Sequence, residues 1–194
     1  MKIIGLTGPS GSGKSTVSDI AKSLGYFVID CDKVSREISK KPEALEKLEK
    51  AFGGVVKEGA LDRKALAKKA FSSKEKTEIL NSIMLPLIVK KIDEHISDAQ
   101  KKGENLFLLD APTLFESGID KKCGAVVAVL ADENIRADRL IKRDGLTKSQ
   151  LKSRLKSSKS EDFFKAKTGH IIYNNGNLED YKKEALWLLK KLAD

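Results

Sequence analysis

Short apolar runs rich in β-branched residues recur at positions 3–7, 27–29, 106–109, 125–130 and 171–173, and each ends in turn chemistry. They are nearly continuous rather than alternating, as expected for strands covered on both faces. Between them the apolar positions take a helical period at 14–24, in several pieces between 33 and 102, and at 134–143, 148–156 and 178–192. Strand and helix therefore alternate. The pattern predicts an α/β three-layer sandwich with a parallel central sheet.

The spacing is uneven. Between the second and third runs lies far more chain than the dozen or so residues a crossover needs. We expect one domain spanning 1–194, with a core at about 1–32, 103–138 and 168–194. A helical insertion at about 33–102 and a charged, lid-like excursion at about 139–167 complete it.

A net charge of +9 suggests nucleic acid at first, but the charge is spread along the chain and aromatics make up only 6% of it, too few for a stacking platform. Nucleic acid is therefore not the expected partner. Of 37 basic residues only six are arginine: Arg36, Arg63, Arg136, Arg139, Arg143 and Arg154. A chain that uses lysine wherever any positive charge will serve makes its arginines informative, because only the guanidinium fork grips phosphate or carboxylate bidentately. Two cysteines, Cys31 and Cys123, stand in no C-x-x-C pair, and no apolar run has the length of a signal peptide or a membrane span. A reduced, cytoplasmic protein with no membrane partner is expected.

Gly8-Pro9-Ser10-Gly11-Ser12-Gly13-Lys14-Ser15 fills every fixed position of G-x-x-x-x-G-K-[ST] and stands between a predicted strand and a predicted helix. Here the backbone N–H groups of Gly8, Gly11, Ser12 and Gly13 and the start of the helix through Thr16 can hold phosphate. Lys14 can reach the β and γ oxygens, and the Ser15 hydroxyl can ligate magnesium. Mg-ATP and phosphoryl transfer follow.

Asp30 and Asp32 fall where the second strand should end, at the carboxyl edge of the sheet. One can accept a proton from an attacking hydroxyl while the other orients that hydroxyl or a metal-bound water; alternatively one of them caps the next helix. Position favours Asp32 as the base, since it lies one step further out. Asp110 follows the apolar strand 106–109, as does the acid that assists magnesium in phosphate-loop enzymes. Arg136, Arg139 and Arg143 share one helix face at i, i+3, i+7, and Arg154 follows, which suits a clamp closing on the transferring phosphoryl. The alternative is a solvated face paired with Asp138 and Asp144. His95 and His170 lack partners at metal spacing, and Trp187, within an apolar stripe of the last helix, is expected to pack on the core.

Taken together the chain resembles the dephospho-coenzyme A kinases. The resemblance rests on Gly5-Leu6-Thr7-Gly8, Asp30-x-Asp32 with Arg36-Glu37, Gly59-x-Leu61-Asp62-Arg63, and Leu80-Asn81-x-Ile83 ahead of Pro86. It continues with Asp110-x-Pro112-x-Leu114-Phe115-Glu116, Arg139 with Arg143-Asp144-Gly145, and Asn174-x-Gly176. It departs at Leu85, Ser158, Gly169 and Tyr173, where the family usually carries other residues. The resemblance implies an adenylate-kinase-like core and ATP-dependent phosphorylation of the ribose 3′-hydroxyl of dephospho-CoA. It implies Asp32, Lys14, Arg139 and Arg143 in catalysis, Asp30, Arg63, Asp110 and Arg154 in substrate binding, and Ser15 with Asp110 at magnesium. Two rivals stand beside it: another small-molecule or nucleoside-monophosphate kinase on the same core, and a nucleotide switch or nucleic-acid-binding regulator without an acceptor.

Overall fold

The computed structural model describes residues 1–194. In chain order its elements are β1 (Lys2–Thr7), α1 (Lys14–Ser23), β2 (Phe27–Asp30), α2 (Cys31–Ile38), α3 (Pro42–Phe52), β3 (Val56–Lys57) and β4 (Ala60–Leu61). There follow α4 (Arg63–Ala70), α5 (Lys74–Gln100), β5 (Leu106–Asp110), a 3-10 turn (Ile119–Lys122), β6 (Ala125–Leu130), α6 (Glu133–Asp144), α7 (Lys148–Lys156), α8 (Glu161–Lys167), β7 (His170–Tyr173) and α9 (Leu178–Ala193). The chain forms two compact units, residues 1–29 with 102–194, and residues 30–101.

The first unit is built on a five-stranded sheet in the order β2-β5-β1-β6-β7. β1 runs parallel to β5, with Leu6 beside Asp110, and parallel to β6, whose other edge pairs in parallel with β7. Both faces are buried, which is why these strands read as continuous apolar runs. On one face Ile4, Leu6, Leu108, Val127, Val129 and Ile172 pack with Val17 and Ala21 of α1 and Tyr181, Ala185 and Leu189 of α9. On the other, Ala128 and Leu130 meet Phe164 of α8, with Phe115 and Phe163 against them. The sheet order carries the functional consequence: it brings the ends of β5, β6 and β7 beside the loop that follows β1.

The second unit is a helical cluster around α5, which packs on α2, α3 and α4. Its inward side is a row at four-residue spacing, Met84, Ile88, Ile92 and Ile96, all buried. A hairpin interrupts the helices: Val56 pairs with Leu61 and Lys57 with Ala60, and the turn residues Glu58 and Gly59 both take positive φ, 50° and 76°. That turn geometry matches the twist of a two-residue hairpin. Glu49 of α3 secures the chain ahead of it, accepting hydrogen bonds from the backbone N–H groups of Gly54, Val55 and Val56 at 2.5, 2.8 and 2.7 Å.

Two expectations need correction. Trp187 is 61% exposed, with Lys191 over its ring, and it does not pack on the core; Tyr181, Ala185, Leu188 and Leu189 take the buried side of α9. The charged excursion also holds an additional helix, α8, whose Phe164 enters the core. Neither cysteine forms a disulfide, and burial pushes the Cys123 thiol up to about 12. No helix is long and apolar enough to cross a membrane.

The three amide donors hold the Glu49 carboxyl below its ordinary range. A depressed folded value contributes stability that is complete above the unfolded value and is lost as pH falls through the folded one. Glu49→Gln is therefore expected to melt earlier than the parent at neutral pH. The gap should close as pH drops below about 4. Thermal melts of both proteins between neutral and acid pH check this, and a gap independent of pH would refute the carboxylate's role.

Candidate active site

The loop after β1 returns to α1 over Gly8–Gly13, and its backbone uses conformations that side chains resist. Gly8 has φ 135°, and a Cβ there would strike the carbonyl oxygen of Val129 on β6. Gly13, at φ 109° and ψ 20°, begins α1 from the left-handed region, and a Cβ there would strike the side-chain amide of Asn174. These glycines allow the loop to lie against β6 and β7.

Side-chain donors surround the outside of this loop. Arg136 Nε donates to the carbonyl of Ser10 at 3.1 Å. Arg139 Nη1 donates to Gly11 and Ser12 oxygens, both at 3.3 Å. Asn174 Nδ2 donates to the Ser12 oxygen at 2.8 Å, and the Tyr181 hydroxyl to the Gly13 oxygen at 2.8 Å. Lys14 Nζ folds back onto the oxygens of Gly8, 2.8 Å, and Pro9, 3.4 Å.

Two observations test whether the loop fits a phosphate chain. First, α1 has neither a side-chain cap nor an acid in its first turn, whereas α2, α4, α5, α7, α8 and α9 begin with a side-chain cap and the uncapped α3 and α6 carry Glu43 and Glu133 there. Second, the Ser12 hydroxyl is buried without a hydrogen-bond partner. An uncapped helix start and an orphan donor inside a glycine loop are what an anion satisfies. The residues fit the ligand.

Asp110 ends β5, and its Oδ2 accepts a hydrogen bond from Ser18 at 2.8 Å. Ser15 is exposed in the first turn of α1. One carboxylate and one hydroxyl suit magnesium, which keeps several waters and leans on substrate phosphates. No group of three or more His, Cys, Asp or Glu is gathered as a protein-only metal cage.

The arginine face divides. Arg136 is buried, also donating to Ser158 Oγ at 3.0 Å, and burial lowers its pKa. Arg139 Nη2 reaches the main-chain oxygen and Oδ1 of Asn174 at 3.0 and 3.2 Å. Neither belongs to a solvated face. Arg143 is exposed and chelates Asp144 through Nε and Nη2 at 2.7 and 2.9 Å, and Arg154 lies 3.8 Å from the same carboxylate. The structure thus separates two loop-bound arginines from two at the far end of α6 and on α7.

In the second unit, Asp30 is the N-cap of α2, accepting from the backbone of Lys33 at 2.9 Å. Asp32 stands in the first turn, exposed. Arg63 opens α4 just after its cap Asp62, and its Nη2 lies 3.4 Å from Ser39 Oγ. Asn174 and Tyr181 escaped sequence reasoning as site residues. Asn174 was visible only as part of a closing motif, and nothing local marks Tyr181 within an amphipathic helix.

Gly8→Ala is expected to strain the backbone by roughly 1–3 kcal/mol and to force the loop away from β6. The variant should melt lower and show no thermal stabilisation by Mg-ATP. Stabilisation equal to the parent's would show that the close approach to Val129 is dispensable.

Comparison with known proteins agrees with this geometry. The dephospho-CoA kinase family model matches residues 2–180. The chain is 39% identical over 192 residues to a dephospho-CoA kinase of Corynebacterium glutamicum, covering 97% of this chain and 96% of that one. It is also 39% identical over 184 residues to one of Fusobacterium nucleatum, covering 94% of each. Among solved structures it is similar to TT1252 from Thermus thermophilus, with TM-score 0.85, 31% identity and 98% and 97% of the two chains covered. It is similar as well to the dephospho-CoA kinase from Campylobacter jejuni, with TM-score 0.62, 28% identity and 98% and 97% covered. The shikimate kinase of Bacteroides thetaiotaomicron, TM-score 0.55 at 16% identity over 99% and 98% of the chains, shares the fold. By motif, loop geometry and these matches, the chain belongs to the dephospho-CoA kinase family.

Proposed function

We infer that the chain catalyses its family's reaction, transfer of the γ-phosphoryl group of Mg-ATP to the ribose 3′-hydroxyl of dephospho-CoA. The observation that carries this reading is the phosphate loop, with carbonyls tied outward and an uncapped helix start, in a chain whose family match spans residues 2–180.

The loop amides from Gly8 to Gly13, the first turn through Thr16 and the Lys14 ammonium bind the β- and γ-phosphates. Little covalent chemistry is left for the protein, because charge spreads over the equatorial oxygens in a loose transition state. Positioning and fixed positive charge do most of the work. Ser15 and Asp110 would hold magnesium, which when bound neutralises charge on the phosphate oxygens. Arg139 contributes positive charge while anchored to the loop, and Arg143 with Arg154 supplies a clamp from the lid at about 139–167. Asp32 accepts the 3′-hydroxyl proton, leaving an alkoxide-like oxygen to bond to phosphorus as the ADP oxygen departs. The insertion at about 33–102 binds the acceptor, with Asp30 and Arg63 among its contacts. The reading places the enzyme in the cytoplasm, where ATP is at hand and Cys31 and Cys123 stay reduced.

An assay coupling ADP release to acceptor identity tests the reaction. Turnover with dephospho-CoA and not with shikimate or nucleoside monophosphates is expected, and hydrolysis unstimulated by any acceptor would overturn the reading. Lys14→Ala should abolish measurable turnover while the far-ultraviolet spectrum stays unchanged, because the phosphate oxygens lose their fixed cation. Asp32→Asn keeps the shape but removes the proton acceptor, so kcat should fall by roughly 10²–10⁴ with Mg-ATP stabilisation retained. Single-turnover transfer at saturating ATP, run beside Asp30→Asn, separates the two acids. Full-rate transfer by Asp32→Asn would remove it from the mechanism.

A further inference from the structure

A trans peptide unit is planar, so its oxygen and its hydrogen point to opposite sides. Fixing the carbonyl of one residue therefore aims the N–H of the next. Along the phosphate loop four consecutive peptide units are fixed this way. The Ser10 oxygen on Arg136 sets the Gly11 N–H, and the Gly11 oxygen on Arg139 sets that of Ser12. The Ser12 oxygen, on Asn174 and Arg139, sets that of Gly13, and the Gly13 oxygen, shared by the Tyr181 hydroxyl at 2.8 Å and the Thr16 N–H at 3.1 Å, sets that of Lys14.

Two of these four anchors are uncharged, and neither is a residue from which phosphoryl transfer takes a charge or a proton. Asn174 is 5% exposed and makes three kinds of contact at once. Its backbone N–H extends the β6–β7 ladder to the Leu130 oxygen at 2.8 Å, its amide nitrogen holds Ser12, and its two oxygens hold Arg139. Tyr181 is 3% exposed, and its ring packs in the α1–α9 core while its hydroxyl reaches the loop. Burial raises the phenol above its ordinary range, so the hydroxyl is a permanent donor at working pH. Gly13, whose left-handed backbone starts α1, is thus held by Asn174 on the peptide unit before it and by Tyr181 on the one after.

We propose that Asn174 and Tyr181 are positioning residues for phosphoryl transfer: they aim the Gly13 and Lys14 amides at the phosphate chain, acting through the loop and touching no reacting atom. The proposal rests on the phosphoryl-transfer reading above. A donor network set before the ligand arrives spares the transition state the cost of reorganising it, which is the source of most electrostatic catalysis.

Tyr181→Phe keeps the ring and removes only the donor. Asn174→Asp keeps the oxygen that faces Arg139 and replaces the donor to Ser12 with an acceptor. In the full-length enzyme each variant is expected to bind Mg-ADP about tenfold more weakly by calorimetry and to lose up to about 10²-fold in kcat. The KM for dephospho-CoA should not move. The ligand-free melting temperature of Tyr181→Phe should drop by only about 2–4 °C, the worth of one hydrogen bond in a chain of this size. If the two residues merely support the fold, that drop will appear with parental Mg-ADP affinity and parental kcat, and the proposal is overturned. Should Asn174→Asp fail to fold, Tyr181→Phe carries the test alone. The Mg-ADP measurement needs no acceptor, so a parent enzyme that binds Mg-ADP yet leaves dephospho-CoA unphosphorylated would sink the reaction assignment and leave this one standing.

Discussion

A peptide unit cannot show its oxygen and its hydrogen to the same neighbour, and a loop that faces phosphate with N–H groups must place a row of carbonyl oxygens somewhere else. In this protein the oxygens of Ser10 to Gly13 go to side chains from distant parts of the chain, while those of Gly8 and Pro9 are met locally by Lys14. Ser10 and Gly11 are served from α6, Ser12 from the end of β7, and Gly13 from α9. None of these donors could arrive without the sheet order, which sets β6 beside β1 and β7 beside β6. The parallel sheet is in this sense the device that delivers donors to the back of the phosphate loop, and its apolar faces are what make the delivery rigid. An unpaired buried carbonyl would be costly, so loop and donors are mutually dependent.

The use of arginine follows from the same requirement. Lysine serves the surface, where Lys22 pairs with Asp19, Lys47 with Glu43 and Lys182 with Glu179 at one-turn spacing, exposed contacts that water and salt screen. Arg139 works differently, spanning the Gly11, Ser12 and Asn174 oxygens with one planar group. An ammonium is a single point, and burying it there would leave oxygens unmatched. Arg136 accepts burial for the same reason, with its fork shared between Ser10 and Ser158.

Much of this architecture was legible in the sequence, because strands covered on both faces betray themselves as apolar runs and the phosphate loop has fixed spacing. Less visible were features decided by tertiary neighbours. The hairpin at Val56–Leu61 has two-residue strands, too short for any period to register, and Glu49 reaches it from a helix whose local sequence gives no sign of that contact. The run Ala185–Leu189 is apolar on every side, so periodicity alone could not tell that Leu188 and Leu189 would turn inward and Trp187 outward. Tyr181 looked like one more apolar position on α9. Its hydroxyl gains meaning only when the fold brings Gly13 to it across a separation of 168 residues.

The two acids at the junction of β2 and α2 show how a local rule can distinguish residues of one type. Both are aspartates, they differ by two positions, and either could in principle take a proton. The helix that starts between them treats them differently. An N-cap must give an oxygen to an orphan N–H of the first turn, and Asp30 does so toward Lys33, with Lys33 Nζ 3.7 Å from its other oxygen. Asp32, inside the first turn, cannot cap its own helix, so its side chain projects from the surface and engages in no hydrogen bond or ion pair. A general base needs an oxygen lone pair that the protein has not already committed elsewhere. Capping commits an oxygen of Asp30 and leaves those of Asp32 uncommitted, so the boundary between β2 and α2 supports the proposed assignment of the base to Asp32 and of a binding role to Asp30.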